Sequence, residues 1–166
     1  MFLIERGILS MLKKTISYED YNGNERSKDF YFHMNQVEFS KLNGEIPGGI
    51  EKRMQKIIED QDEDALLRMI DLLVSRSYGE FDEEDEFTKV SKTGRPLWEK
   101  FVNTDAYDQL IIELIQNEEN IVSFLKSIMP KKVQGRIDEE MQKRAEAEKK
   151  VVKLTPVDAD DSSTVE

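Results

Sequence analysis

The alternation of apolar and polar residues near the start of the chain predicts a β-hairpin over residues 12–34. The apolar positions on both sides of a polar turn are even-numbered: Leu12, Ile16, Tyr18, Phe30, Phe32 and Met34. Facing residues of paired strands lie on the same side of a sheet, so the turn must pair even positions with even positions. A three-residue loop over residues 21–23 does this, with Asp20 opening a type I turn and Gly23 in the left-handed conformation. We therefore expect a hairpin with one apolar face that packs on helices.

Apolar residues at spacings of three and four predict helices over residues 35–130. Asn35 and Glu38 have the spacing of a capping box at the start of the first helix. A second helix follows a Pro-Gly turn, and a third begins at the cap residue Asp62 and ends at Gly79. A polar and acidic connection with two isolated phenylalanines follows the third helix.

The helical pattern restarts at Pro96, and Thr104 is a candidate cap for the helix that follows. Residues 107–115 and 121–129 repeat the same narrow apolar stripe, which favours an antiparallel pair of helices. The predicted fold is therefore mainly α, a helical bundle-like domain with the N-terminal β-hairpin as a minor α+β element.

The two ends of the chain differ from this folded domain, which we place at residues 11–130. Residues 1–10 form an N-terminal extension in this interpretation. Residues 131–150 predict a charged helix with a thin apolar stripe. Residues 151–166 are acidic and have no periodic pattern, which predicts a disordered tail.

The composition narrows the classes of partner. The net charge is -11, with 35 acidic and 24 basic residues, and no concentrated basic region suggests binding to nucleic acid. No apolar run approaches the ~20 residues of a membrane span, so we expect no membrane partner and a place inside the cell. The absence of cysteine excludes disulfides and thiolate metal sites.

Candidate chemistry is sparse. His33 is the one histidine, and its position in the hairpin places it on the face opposite Phe32. The acidic run 82–86 lacks the ligand spacing of an EF-hand loop, and the glycine-bearing loops lack the phosphate-binding signatures. We therefore predict a protein that is not an enzyme and has no cofactor or metal.

Aromatic residues beside the acidic connection are the candidates for partner binding. They are Phe81, Phe87, Trp98, Phe101 and Tyr107. Large rings with polar surroundings often anchor protein partners. By contrast, the regular aliphatic spacing of Leu110, Ile111 and Leu114 is typical of core.

Five stretches, in this order and spacing, carry a resemblance to a known family: MLKKTISYEDYNG from Met11, DFYFHMNQVEF from Asp29, SRSYG from Ser75, DEFTK from Asp85 and FVNTDAYDQLIIEL from Phe101. Together they resemble the tail assembly chaperones of long-tailed phages and prophages of Gram-positive bacteria. The resemblance covers residues 11–130.

The resemblance implies a non-catalytic chaperone that binds the tape-measure protein, which is long, helical and partly hydrophobic. It also implies tail-tube subunits as partners, work in the host cytoplasm and absence from the mature virion. The chain resembles the shorter of the two products that a programmed frameshift makes in many such phages. The sequence leaves homo-oligomer formation open.

Two other functions stay open at this point. One is a structural head-tail connector or tail completion protein, and the other is a small acidic regulatory protein that inhibits a host enzyme. Gene order and the protein content of purified particles distinguish these functions from a chaperone.

Overall fold

The structure, a computed structural model, describes residues 11–153. The chain divides into two compact units, one up to Lys131 and one from Lys132 onward. The elements are β1 (Leu12–Glu19), β2 (Glu25–Phe32), α1 (Gln36–Glu45), α2 (Ile50–Glu59), α3 (Glu63–Ser77), β3 (Tyr78–Phe81), β4 (Phe87–Thr88), α4 (Trp98–Phe101), α5 (Asp105–Ile115), α6 (Glu118–Ile128) and α7 (Lys131–Lys153). The predicted extension at residues 1–10 lies outside the described residues. The predicted tail at residues 151–166 does so too, except for its first three residues, which belong to α7.

The predicted hairpin and its register are confirmed. Leu12 faces Phe32, and the pairing runs to the end of β1, so even positions face even positions. The N–H of Gly23 donates to the carbonyl of Asp20 at 2.9 Å, and Gly23 has φ +80°. The N–H of Asn24 and the guanidinium of Arg26 also donate to the Asp20 carboxylate, and these bonds lower its pKa to about 2.

Side chains cap the N-termini of several of the predicted helices. The side chain of Asn35 accepts from the N–H of Glu38, whose carboxylate accepts from the N–H of Asn35, which completes the capping box. Asp62 caps α3 through the N–H of Ala65. Thr104 stands at the N-cap of α5 as predicted, but its hydroxyl donates backwards to the carbonyl of Phe101 instead.

The polar connection after α3 contains two strands that the sequence did not predict. Helix α3 leads directly into β3, which pairs with β2 on one side and β4 on the other. The result is a four-stranded antiparallel sheet in the order β1-β2-β3-β4. The fold is therefore α+β with a substantial sheet, and the prediction of a helical bundle-like domain is corrected to that extent.

The core of the first unit lies where one face of the sheet meets α5 and α6. Helix α5 packs on β1 and on α6. Phe32 is fully buried, and its ring lies 5.9 Å from that of Phe101 and 5.5 Å from that of Phe124. The ring of Phe101 also stacks on that of Tyr78 at 4.3 Å. This aromatic cluster joins the hairpin, β3, α4 and α6.

Candidate partner-binding surfaces

The five aromatic residues predicted to bind a partner do not form one surface. Phe81 and Phe87 lie at the β3–β4 edge of the sheet, with ring centroids 5.9 Å apart. Phe101 and Tyr107 form a second pair at 5.8 Å, near the start of α5. Trp98 is half-buried at the first residue of α4.

The members of these groups differ in exposure. Phe81 is 44% exposed, and its ring meets that of Tyr31 edge-on at 4.9 Å. Phe101 is only 2% exposed and belongs to the aromatic cluster of the core. This burial differs from the expected place at an exposed edge, because Phe101 fills the space under Phe32 and Tyr78. Tyr107 is half-buried.

The acidic run that joins β3 to β4 forms a tight turn. The carboxylate of Asp82 accepts from the N–H groups of Glu84 and Glu86, each at 2.9 Å. Asp85 has φ +57°, which lets the chain reverse. Among the residues whose side chains the structure describes, no group of three or more histidine or acidic side chains is arranged to hold a metal ion.

His33 lies on the opposite face of the hairpin from Phe32, as its position predicted. It is half-buried, and its ring lies 6.5 Å from that of Phe87. Its backbone N–H donates to the carbonyl of Ser77 at 2.8 Å, which extends the contact between β2 and the end of α3.

A groove between α3 and α5 exposes apolar side chains that the sequence assigned to core or did not single out. Leu67 on α3 is 42% exposed, and Ile112 and Ile115 on α5 are each 48% exposed. A pocket of about 400 Å³ lies between the two helices, lined by Leu67, Asp71, Tyr107, Asp108, Ile111 and Ile112. Tyr107 is thus the one predicted partner residue that lines this groove.

The sequence of α5 contains a signal for this exposed face. Apolar residues occupy three consecutive positions, Leu110 to Ile112, and then Leu114 and Ile115. Consecutive helical residues point about 100° apart, so these positions cover a wider arc than one core-facing stripe needs. Leu110 and Leu114 are buried, and the remaining positions of that arc are half-buried or exposed.

The charges along the groove have one sign. The pocket lining includes the carboxylates of Asp71 and Asp108 and no basic side chain. Burial raises the pKa of Asp71 above its ordinary value.

The described residues include no helix long and apolar enough to cross a membrane.

A family model described as phage tail assembly chaperone matches residues 11–165 of this chain. Because the match covers most of its length, the chain belongs to the phage tail assembly chaperone family. The match begins at Met11, as the resemblance does, but continues beyond Pro130, where the resemblance ended. No curated protein and no solved structure matches the chain significantly.

Family membership implies protein partners in the phage tail and suggests a role in the host cell outside the virion. The narrower assignment to long-tailed phages of Gram-positive bacteria stays a prediction.

Proposed function

We propose that this protein binds the tape-measure protein of its phage and keeps it soluble until tail-tube subunits assemble around it. The observation that supports the proposal is a folded unit with apolar side chains exposed in a groove, in a chain of the tail assembly chaperone family. A chaperone needs such side chains on its surface, because it covers hydrophobic segments of another protein reversibly.

The proposed role is binding without catalysis. The protein acts in the host cytoplasm, recruits tail-tube subunits and leaves before the virion is complete. Its net charge of -11 supports this role, because like charges keep complexes with a hydrophobic client from associating with one another. Phe81, Phe87, Trp98 and Tyr107 remain proposed partner contacts, and the burial of Phe101 gives that residue a structural role instead.

The family match favours the chaperone over the head-tail connector and the enzyme inhibitor. The experiment that tests it is co-expression of the chain with the tape-measure protein from the same genome. We expect the soluble fraction of the tape-measure protein to rise several-fold over expression alone, and the two proteins to elute together in size-exclusion chromatography. An unrelated acidic protein of similar size is the control for charge alone.

Mass spectrometry of purified particles gives the second readout. A chaperone should be absent from particles that contain the tail-tube and tape-measure proteins. A stoichiometric amount in the virion would indicate a structural protein, and an unchanged soluble fraction in co-expression would contradict the proposed function directly.

A further inference from the structure

We propose that the α3–α5 groove binds an amphipathic helix of the partner that has basic residues beside its apolar stripe. The inference rests on the proposed function, because it names the surface and the segment through which a partner is held. Two properties of the groove carry it: apolar side chains along both helices and an acidic border.

The apolar floor runs along both helices. The pocket that contains Leu67 and Ile112 is followed by another of about 650 Å³, whose lining includes Leu66 and Ile115. Ile111 lines the first pocket and Ile115, four positions later on α5, lines the second, so the two pockets lie next to each other along that helix. Early residues of α3 lie beside the end of α5, so the helices run in opposite directions along it.

The dimensions of this floor suit a helix. From Tyr107 to Ile115 the groove follows α5 for about 12 Å, which equals roughly two helical turns. A third helix placed between two neighbouring helices buries its apolar stripe in the groove between them. Recognition of a partner helix in this way needs apolar anchors at spacings of three and four residues, which fit this length.

The border of the groove is acidic on both helices. On α3, Glu63 and Asp71 stand four residues before and after Leu67, so both flank it on the helix surface. On α5, Asp108 precedes Ile112 by four residues. The second pocket adds Asp62 and Glu118, and neither pocket is lined by lysine or arginine.

Basic side chains of a bound partner would form ion pairs with these carboxylates. Among the ion pairs of the described residues, none involves Glu63, Asp71 or Asp108. Glu113, which points to the hairpin side of α5, does pair with Lys14. The acidic groups of the groove therefore favour an occupant that carries lysine or arginine beside its apolar stripe.

The test uses the full chain and a synthetic peptide of about 18 residues, five helical turns long. The peptide has leucine at spacings of three and four and lysine on both sides of that stripe. A matched peptide has glutamate at each lysine position. Isothermal titration should show binding of the lysine peptide, weaker binding at higher salt because charges are screened, and at least tenfold weaker binding of the glutamate peptide.

Substitutions locate the binding surface. We expect Ile112→Glu to weaken binding of the lysine peptide at least tenfold, and Leu67→Glu on the opposite wall to do the same. Val37→Glu is the matched control, because Val37 is an exposed apolar residue on α1, away from the groove, and it should change the affinity less than twofold. Thermal melting of each variant verifies that it is folded.

These measurements either support or overturn the assignment of the α3–α5 groove as the binding surface. Equal affinity of Ile112→Glu, Leu67→Glu and the parent, or no binding of the lysine peptide, overturns the groove assignment. A sedimentation experiment in which Ile112→Glu dissociates an oligomer assigns the groove to a second copy and also overturns it. Because the tape-measure protein takes no part in these measurements, failure here leaves the co-expression result intact, and failure of co-expression leaves the peptide result intact.

Discussion

Adjacent residues of α5 have opposite environments, because one side chain lies in the core and the next lies on the surface. Leu114 is 1% exposed, while Ile115 is 48% exposed. The sequence predicted one core stripe, because periodicity identifies the apolar arc of a helix but not how much of it other elements cover. The hairpin covers the side of Leu110 and Leu114, and Ile115 faces the groove.

This contrast predicts different costs for the same substitution at neighbouring positions. Leu114→Ala leaves a cavity in the core and should lower the free energy of unfolding by about 2–5 kcal/mol. Ile115→Ala removes an exposed side chain and should cost about 0.5 kcal/mol or less. Urea denaturation followed by circular dichroism measures both. Similar losses for the two variants would mean that Ile115 is packed as tightly as Leu114.

The burial of Phe101 shows a limit of prediction at this scale. Helix α4 has only four residues, so it has no repeated spacing that tells which of its side chains faces the core. Trp98 and Phe101 looked equivalent in the sequence. The structure distinguishes them, because the Phe101 ring is surrounded by Phe30, Phe32 and Tyr78.

At the scale of elements, the sequence predicted long patterns well and short ones poorly. The hairpin could be predicted with its register because two strands of eight residues constrain the turn by parity. Strands β3 and β4 have four and two residues, too few for an alternation to stand out from a polar loop. Their pairing depends instead on close approach of the two backbones.

Gly79 permits that approach. A Cβ atom at this position would lie 2.5 Å from the ring of Phe87 and 2.6 Å from the carbonyl oxygen of Thr88. Gly79→Ala should therefore separate β3 from β4 and lower the free energy of unfolding by about 1–3 kcal/mol. Thermal unfolding measures the loss.

Gly44→Ala is the control for this substitution, because Gly44 lies in α1 with no atom near its Cβ position. The added methyl group should stabilise the helix by about 0.5–1 kcal/mol. Unchanged stability of Gly79→Ala would show that the β3–β4 hairpin can shift as a whole without cost.

At the scale of the whole molecule, the net charge could be read from the sequence more readily than the α3–α5 groove. The change in character after Pro130 predicted a separate charged helix, and the second compact unit begins at Lys132. The groove could not be predicted in the same way, because it needs α3 and α5 to lie side by side although they are far apart in the sequence. The family match nevertheless continues through the second unit to residue 165.

The division into units predicts where the chain can be shortened. Ile128 and Met129 are buried in the first unit, and the N–H of Met34 donates to the carbonyl of Ile128 at 2.9 Å. A chain ended after Lys126 loses both side chains, at about 2–5 kcal/mol each, which approaches the whole stability of a typical domain. We expect it to be largely unfolded by circular dichroism. A chain ended after Lys131 keeps both side chains and should melt cooperatively at the midpoint of the full chain. A large fall in that midpoint would show that the first unit needs the second to fold.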